Sequence, residues 1–207
     1  MSCLICGSSL SSLPTWSKLF LNELAPHACN RCFSKFEKAD WVIDFSDFQG
    51  TDYEGAVDAV TVLYQYNEVM QSYLHQYKFL QDVALAHVFA SQLRVIFEKK
   101  EGIVVPIPMH PEKLVVRTFA QVDELLNSAG ISFHQMLAKT ATNEQGKKSK
   151  KERLEASSLF EVVGKIESKD YILFDDIYTT GATIHHAAKA LKDAGAIRVE
   201  AITLIKG

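Results

Sequence analysis

No stretch of this 207-residue chain approaches the roughly 20 consecutive apolar residues that a membrane-spanning helix needs, which argues against a helical membrane protein. The amino terminus also lacks a cationic segment ahead of an apolar core, so it does not resemble a secretory signal. The expected place of work is therefore the cytoplasm. Net charge is −3, and no global basic field draws the chain to nucleic acid or to a membrane surface. No internal repeat is visible. Cysteine is scarce, and all of it lies before residue 33. What remains is an ordinary globular balance, 47% apolar and 23% charged, with length for one substantial domain and a small appendage.

The four cysteines are Cys3, Cys6, Cys29 and Cys32. They form two Cys-x-x-Cys pairs separated by residues 7–28, a zinc-ribbon spacing with a slightly long gap. Each pair presents two thiolates to one side of a tetrahedral Zn²⁺, and Gly7 suits the turn after the first pair. Four thiolates complete the shell, which implies a closed structural site rather than a catalytic one. A reducing cytoplasm disfavours the alternative of two disulfides. His27 sits close to Cys29 and is read as a loop residue, not a ligand. So short a segment has little core of its own, so metal binding is expected to drive its folding.

The most informative stretch is Tyr171–Thr183, Tyr-Ile-Leu-Phe-Asp-Asp-Ile-Tyr-Thr-Thr-Gly-Ala-Thr. Tyr171–Phe174 is a near-continuous apolar run, the pattern of a strand buried on both faces of a parallel sheet. Asp175 and Asp176 come next, at its carboxyl end, where ligands of open α/β sheets bind. Successive strand side chains point to opposite faces, so the two carboxylates are expected to have different jobs: one reaches the ligand, the other a metal or a basic residue. Thr179, Thr180, Gly181, Ala182 and Thr183 then form a loop, and 183–194 reads as a helix closed by Gly195. The positive end of that helix faces the loop and suits a phosphate. A further strand is predicted over 198–205.

Residues 33–62 read as a connector and early strands, with Trp41, Phe45, Phe48 and Tyr53 packing onto the body. Helices are predicted over 64–77 and 83–97, separated by Tyr77-Lys78-Phe79-Leu80-Gln81-Asp82. A β-branched strand, 102–108, ends in prolines and opens what is read as the first strand-loop-helix unit of the main domain, with a helix through Leu126. Residues 139–153 are polar and basic without apolar period, read as a loop, and its cations at 147–153 can meet phosphates of substrate or nucleic acid. A short strand is predicted over 159–163.

Tyr171–Thr183 closely resembles the phosphoribosyl pyrophosphate (PRPP) signature of the type I phosphoribosyltransferases. That resemblance implies that Asp175 and Asp176 contact the ribose 2′- and 3′-hydroxyls and that Thr179, Thr180, Gly181, Ala182 and Thr183 wrap the 5′-phosphate. It also places the pyrophosphate at the loop after the 102–108 strand, where His110, Lys113 and Arg117 are the local donors. With the cysteine pairs, Lys78-Phe79 and Asp82, Val105-Pro106-Ile107-Pro108, Arg117, Phe119, Gln121, Gln145, Arg153 and Phe160, the whole chain resembles the ComF family of competence proteins. The family usually has Arg-Gly-Phe-Asn-Gln where this chain has Arg117-Thr118-Phe119-Ala120-Gln121, and often a glycine where Gln81 stands; the asparagine that commonly comes after the arginine at 153 is not apparent.

The resemblance implies a four-cysteine zinc finger over 1–36 and a type I phosphoribosyltransferase-like domain over 37–207, an α/β fold with a Rossmann-like parallel sheet flanked by helices. It implies PRPP or ribose-phosphate binding with Mg²⁺, Lys78 and Arg117 serving the pyrophosphate, and Asp175 and Asp176 at the reacting centre if there is turnover. The implied role is natural transformation: uptake of single-stranded DNA into the cytoplasm beside a ComFA-type helicase. The alternative is an active Mg²⁺-dependent phosphoribosyltransferase passing ribose 5-phosphate to an unknown acceptor.

Overall fold

A computed structural model describes residues 1–10, 27–40, 43–140 and 159–207. Trp41, Gln145, Arg153 and the cations at 147–153 lie outside these residues.

The sheet is built by runs that are apolar on both faces. Strands β1 (Ala59–Gln65), β2 (Ile103–Pro106), β5 (Asp170–Tyr178) and β6 (Arg198–Lys206) pair in the order β1-β6-β5-β2, and every pairing is parallel. Alternate residues feed two cores. Val104, Ile172, Phe174, Ile202 and Leu204 enter one core, and Val105, Tyr171, Leu173, Val199 and Ala201 enter the other. Both faces are therefore covered, as a parallel sheet requires.

On the first face lie α2 (Glu68–Lys78), the 3-10 segment Val83–Phe89, α3 (Ala90–Phe97) and α5 (Gln121–Ala129). On the second lie α6 (Ala182–Asp193) and the antiparallel pair β3 (Leu137–Lys139) and β4 (Phe160–Val162). Helix α1 (Asn30–Phe33) carries Cys32. Cys3, Cys32 and Phe36 join the first core, so the cysteine segment packs directly against the body. Helix α4 (Pro111–Arg117) stands apart, with none of its residues buried.

The expected strands over 171–174, 198–205, 102–108 and 159–163 and the helix over 183–194 are present, with small shifts at their ends. Gly195 stands just past α6 at φ 113°. It closes the helix in the Schellman pattern, with Ala196 N–H on Leu191 O at 3.0 Å and Gly195 N–H on Lys192 O at 3.0 Å.

Three expectations are corrected. Tyr64 and Gln65 end a strand instead of opening a helix: Ala59–Gln65 is rich in residues that suit a pleated surface, and Asn67 starts α2 by accepting the Met70 N–H at 2.9 Å. Val83–Phe89 is 3-10, and the α-helix begins only at Ala90. The unit opened by β2 is not the first, because β1 and α2 precede it. Helix α4 is an addition to the expected elements; Pro111 at its first turn is the signal for it.

Phe89, fully buried, sits among Phe33, Phe36, Tyr64 and Tyr73 at centroid distances of 4.9–5.9 Å. Phe89→Ala is expected to cost about 3–5 kcal/mol, read as a lowered urea midpoint with an unchanged slope.

Candidate functional site

Strand β5 continues past Phe174 to Tyr178, so both acids lie within its last half. Asp176 shares the face of Ile172 and Phe174, is buried, and forms an ion pair with Lys78, the last residue of α2. An almost fully desolvated carboxylate requires such a partner. Asp175 points to the other face. It accepts the Asp176 N–H at 2.8 Å. Burial and the Asp176 charge push its carboxyl up to about 7, against the pull of that N–H, Lys78 and Lys139.

In the sequence, Lys139 marks only the start of a basic loop. In the fold it ends β3, with its ammonium 5.8 Å from the Phe160 ring centroid. Burial and Lys113 push its pKa down, while Asp175 pulls it up. Asp176 thus has Lys78 in direct contact, whereas Asp175 feels Lys78 and Lys139 only through their charge.

The loop after β5 is shaped by Gly181, at φ 78°. A Cβ there would lie 2.2 Å from Tyr178 Oη and 3.3 Å from Phe48, so no other residue fits. Helix α6 begins immediately afterwards; its first-turn N–H groups have no intrahelical partner, and the Ala182 N–H lies 3.4 Å from Thr180 Oγ1. Lys206 steadies the loop by donating to Thr179 O at 3.1 Å. Behind it, His185 stacks on Phe48 at 3.3 Å with an interplanar angle of 9°, and Tyr53 Oη lies 2.9 Å from His186 Nδ1. Sequence reasoning missed both buried histidines; their place in the first turns of a helix behind a glycine loop was the available signal.

Beside Lys78 a cleft of about 410 Å³ opens between the segment after α2 and α4. Lys78, Phe79, Gln81, Lys113, Val116 and Arg117 line it, with Glu112 at the rim. Arg117 lies 5.6 Å from the Phe79 ring centroid and donates to Gln121 Oε1. Gln121 is buried, and its Nε2 has no acceptor among the described residues. A spare buried donor beside a guanidinium suits an anionic ligand. His110 is mainly a cap: its Nδ1 accepts the Glu112 N–H at 3.3 Å at the start of α4.

The four cysteine sulfurs lie within 4.8 Å of one another. Cys6 Sγ and Cys29 Sγ are 3.8 Å apart. That is too long for a disulfide, and it is the edge of a tetrahedron with Zn–S bonds of about 2.3 Å. Ser8 draws the Cys6 thiol down to about 6, whereas burial pushes Cys32 up to about 12. Four sulfurs this close become thiolates together only around a cation. The group can hold a structural zinc. His27 is not part of it and packs against His87, with ring centroids 4.8 Å apart.

A parallel sheet covered by helices, an acid pair in the last half of a central strand, a glycine loop into a helix and an amino-terminal four-cysteine cluster define a type I phosphoribosyltransferase-like protein with a cysteine cluster that can hold a metal. No family profile matches the chain. It is 33% identical to competence protein ComFC of Streptococcus pneumoniae, over all of both chains. It is 31% identical to competence protein ComFC of Bacillus subtilis, over 99% of this chain and 94% of that one. The chain belongs to the ComFC family of competence proteins. A 50-residue segment, 24% of this chain and 16% of that one, is 44% identical to ribose-phosphate pyrophosphokinase 1 of Streptococcus pneumoniae. Among solved structures, a hypoxanthine phosphoribosyltransferase from Staphylococcus aureus aligns at 16% identity and a TM-score of 0.35, over 60% of this chain and 62% of that one.

Two outcomes are expected. Asp175 keeps a proton in the folded state from its ordinary range near pH 4 up to about 7, so the folded chain binds more protons there and stability falls as pH rises through that window. Asp175→Asn removes this loss, and its melting temperature should gain on the wild type more at pH 8 than at pH 5. The cysteine cluster should bind one Co²⁺ per chain with a thiolate charge-transfer band, and the band should fade as pH falls because the ligands must be deprotonated.

Proposed function

We propose that this protein binds PRPP, or a ribose 5-phosphate group, and uses that site in natural competence, in the uptake of single-stranded DNA into the cytoplasm. The observation that carries this reading is the acid pair of β5 leading through left-handed Gly181 into the start of α6. In this reading, the ribose diol donates to the carboxylates, and the 5′-phosphate accepts from the Thr179–Thr183 loop and the first N–H groups of α6. Asp175 must then act as an acceptor, so ligand binding favours its ionised form. The competence proteins among the relatives support the competence role, and the local likeness to a ribose-phosphate pyrophosphokinase supports the ligand.

Asp175 and Asp176 fit Mg²⁺, which takes one or two carboxylates together with substrate phosphates; the ion would neutralise charge on the diphosphate. Lys78 and Arg117 face that end of the ligand from the cleft. We further assign residues 1–36 as a zinc-held unit and 37–207 as the body, with single-stranded DNA and a ComFA-type helicase as partners. Among the described residues no helix is long and apolar enough to cross a membrane.

The cationic cleft with the spare Gln121 donor favours a second reading, an active phosphoribosyltransferase. Displacing pyrophosphate from ribose C1 needs positioning, leaving-group neutralisation and exclusion of water more than a protein nucleophile.

Calorimetry with Mg²⁺ and PRPP is expected to show saturable heat that disappears in Asp175→Ala combined with Asp176→Ala. A wild type silent at millimolar PRPP rules the ligand out. Release of pyrophosphate with any of a panel of bases would establish the second reading.

A further inference from the structure

We propose that Gln81 and Thr118 form a strap that sets the spacing of Lys78 and Arg117 for a ligand's diphosphate; this rests on the PRPP reading above. Gln81 and Thr118 have φ of 57° and 63°, and among the described residues no other non-glycine residue has positive φ. An L side chain is strained in that region, and such strain persists where the surroundings impose it, often at functional sites. These two belong to different segments, one after α2 and one after α4, and they bond to each other. Gln81 donates its Nε2 to Val116 O at 3.0 Å. The Thr118 hydroxyl lies 3.2 Å from Gln81 Oε1 and 2.7 Å from Arg117 O. The amide is thus tied to the opposite segment by its Nε2 on Val116 O, and its Oε1 shares the one Thr118 hydroxyl hydrogen with Arg117 O.

The cations sit beside the strap. Lys78 is three residues before Gln81 and is held by Asp176. Arg117 precedes Thr118 and is held by Gln121 and Phe79. The cross-link makes one rigid pair of two cations that would otherwise move with separate loops. Two linked anionic groups, as in a diphosphate, gain from such preorganisation. A single phosphate at the Thr179–Thr183 loop does not touch it.

The test uses Gln81→Gly, Thr118→Gly and the double variant, because glycine accepts the left-handed backbone and keeps the chain folded. Calorimetry with Mg²⁺ compares PRPP, inorganic pyrophosphate and ribose 5-phosphate. The double variant is expected to lose about tenfold in affinity for PRPP and pyrophosphate, with Gln81→Gly close behind because it removes both bonds, and Thr118→Gly losing less because the Gln81 Nε2–Val116 O bond remains. Ribose 5-phosphate should bind unchanged, and amide exchange over 116–120 should quicken. Unchanged binding of the diphosphate ligands, or an equal loss for ribose 5-phosphate, overturns the strap. If the wild type binds pyrophosphate but neither sugar phosphate, the PRPP reading falls and the pyrophosphate arm alone decides the strap. A wild type that binds none of the three overturns both.

Discussion

One carboxylate has to be taken out of water, and its neighbour partly so, at the end of a strand that is buried on both faces. The strand cannot turn aside, because Tyr171–Phe174 supplies both cores with their central side chains. Each acid therefore needs separate compensation. Asp176 receives it as an ion pair from the end of α2. Asp175 receives less: one backbone N–H and the distant pull of Lys78 and Lys139, so its carboxyl stays unusually basic. The positions of α2 and of the β3–β4 pair answer this need as much as they answer packing. A site that pairs one acid with a lysine and leaves the other unusually basic is poised to respond to a ligand that brings hydroxyl donors and a cation.

The two ends of the site are supported differently. At the phosphate end, Gly181 is required because Tyr178 and Phe48 leave no room for a side chain. The stacked His185 and the bonded His186 hold α6 behind it. At the other end, the cleft is open, cationic and bounded by an unburied helix. Rigid support thus lies under the Thr179–Thr183 loop, whereas the cleft side depends on a few side-chain links between two loops. The cysteine cluster adds a third constraint. Cys3, Cys32 and Phe36 share a core with Tyr64, Phe89 and Tyr73 of α2. Metal held by the cysteines therefore bears on the element that carries Lys78.

Much of this is legible in the chain. The acids, the Thr-Thr-Gly loop and the helix are contiguous, so local chemistry states their order and their common place. The cysteine spacing likewise states a four-sulfur site. The features that are not legible depend on long-range pairing. Lys139 reads as the start of a basic loop until β3 pairs with β4 and sets it over Phe160, within electrostatic reach of Asp175. Residues 64–65 share helical spacing with residues 68–77, but the sheet claims them, because a strand edge buries Tyr64 better than a helix start would. Gln81 and Thr118 are ordinary polar residues in the sequence, yet both keep the left-handed backbone conformation that glycine serves.

By itself, then, the sequence determined the family, the parallel α/β class, the four-thiolate cluster and the acid-loop-helix string, since each is written in residues close together or in a repeated pattern. Only the tertiary structure decided that Lys78 pairs with Asp176, why position 181 calls for glycine, and that two strained residues on separate loops meet. Those outcomes rest on the distances between segments remote in sequence, and such distances are set by how the two cores pack around the sheet.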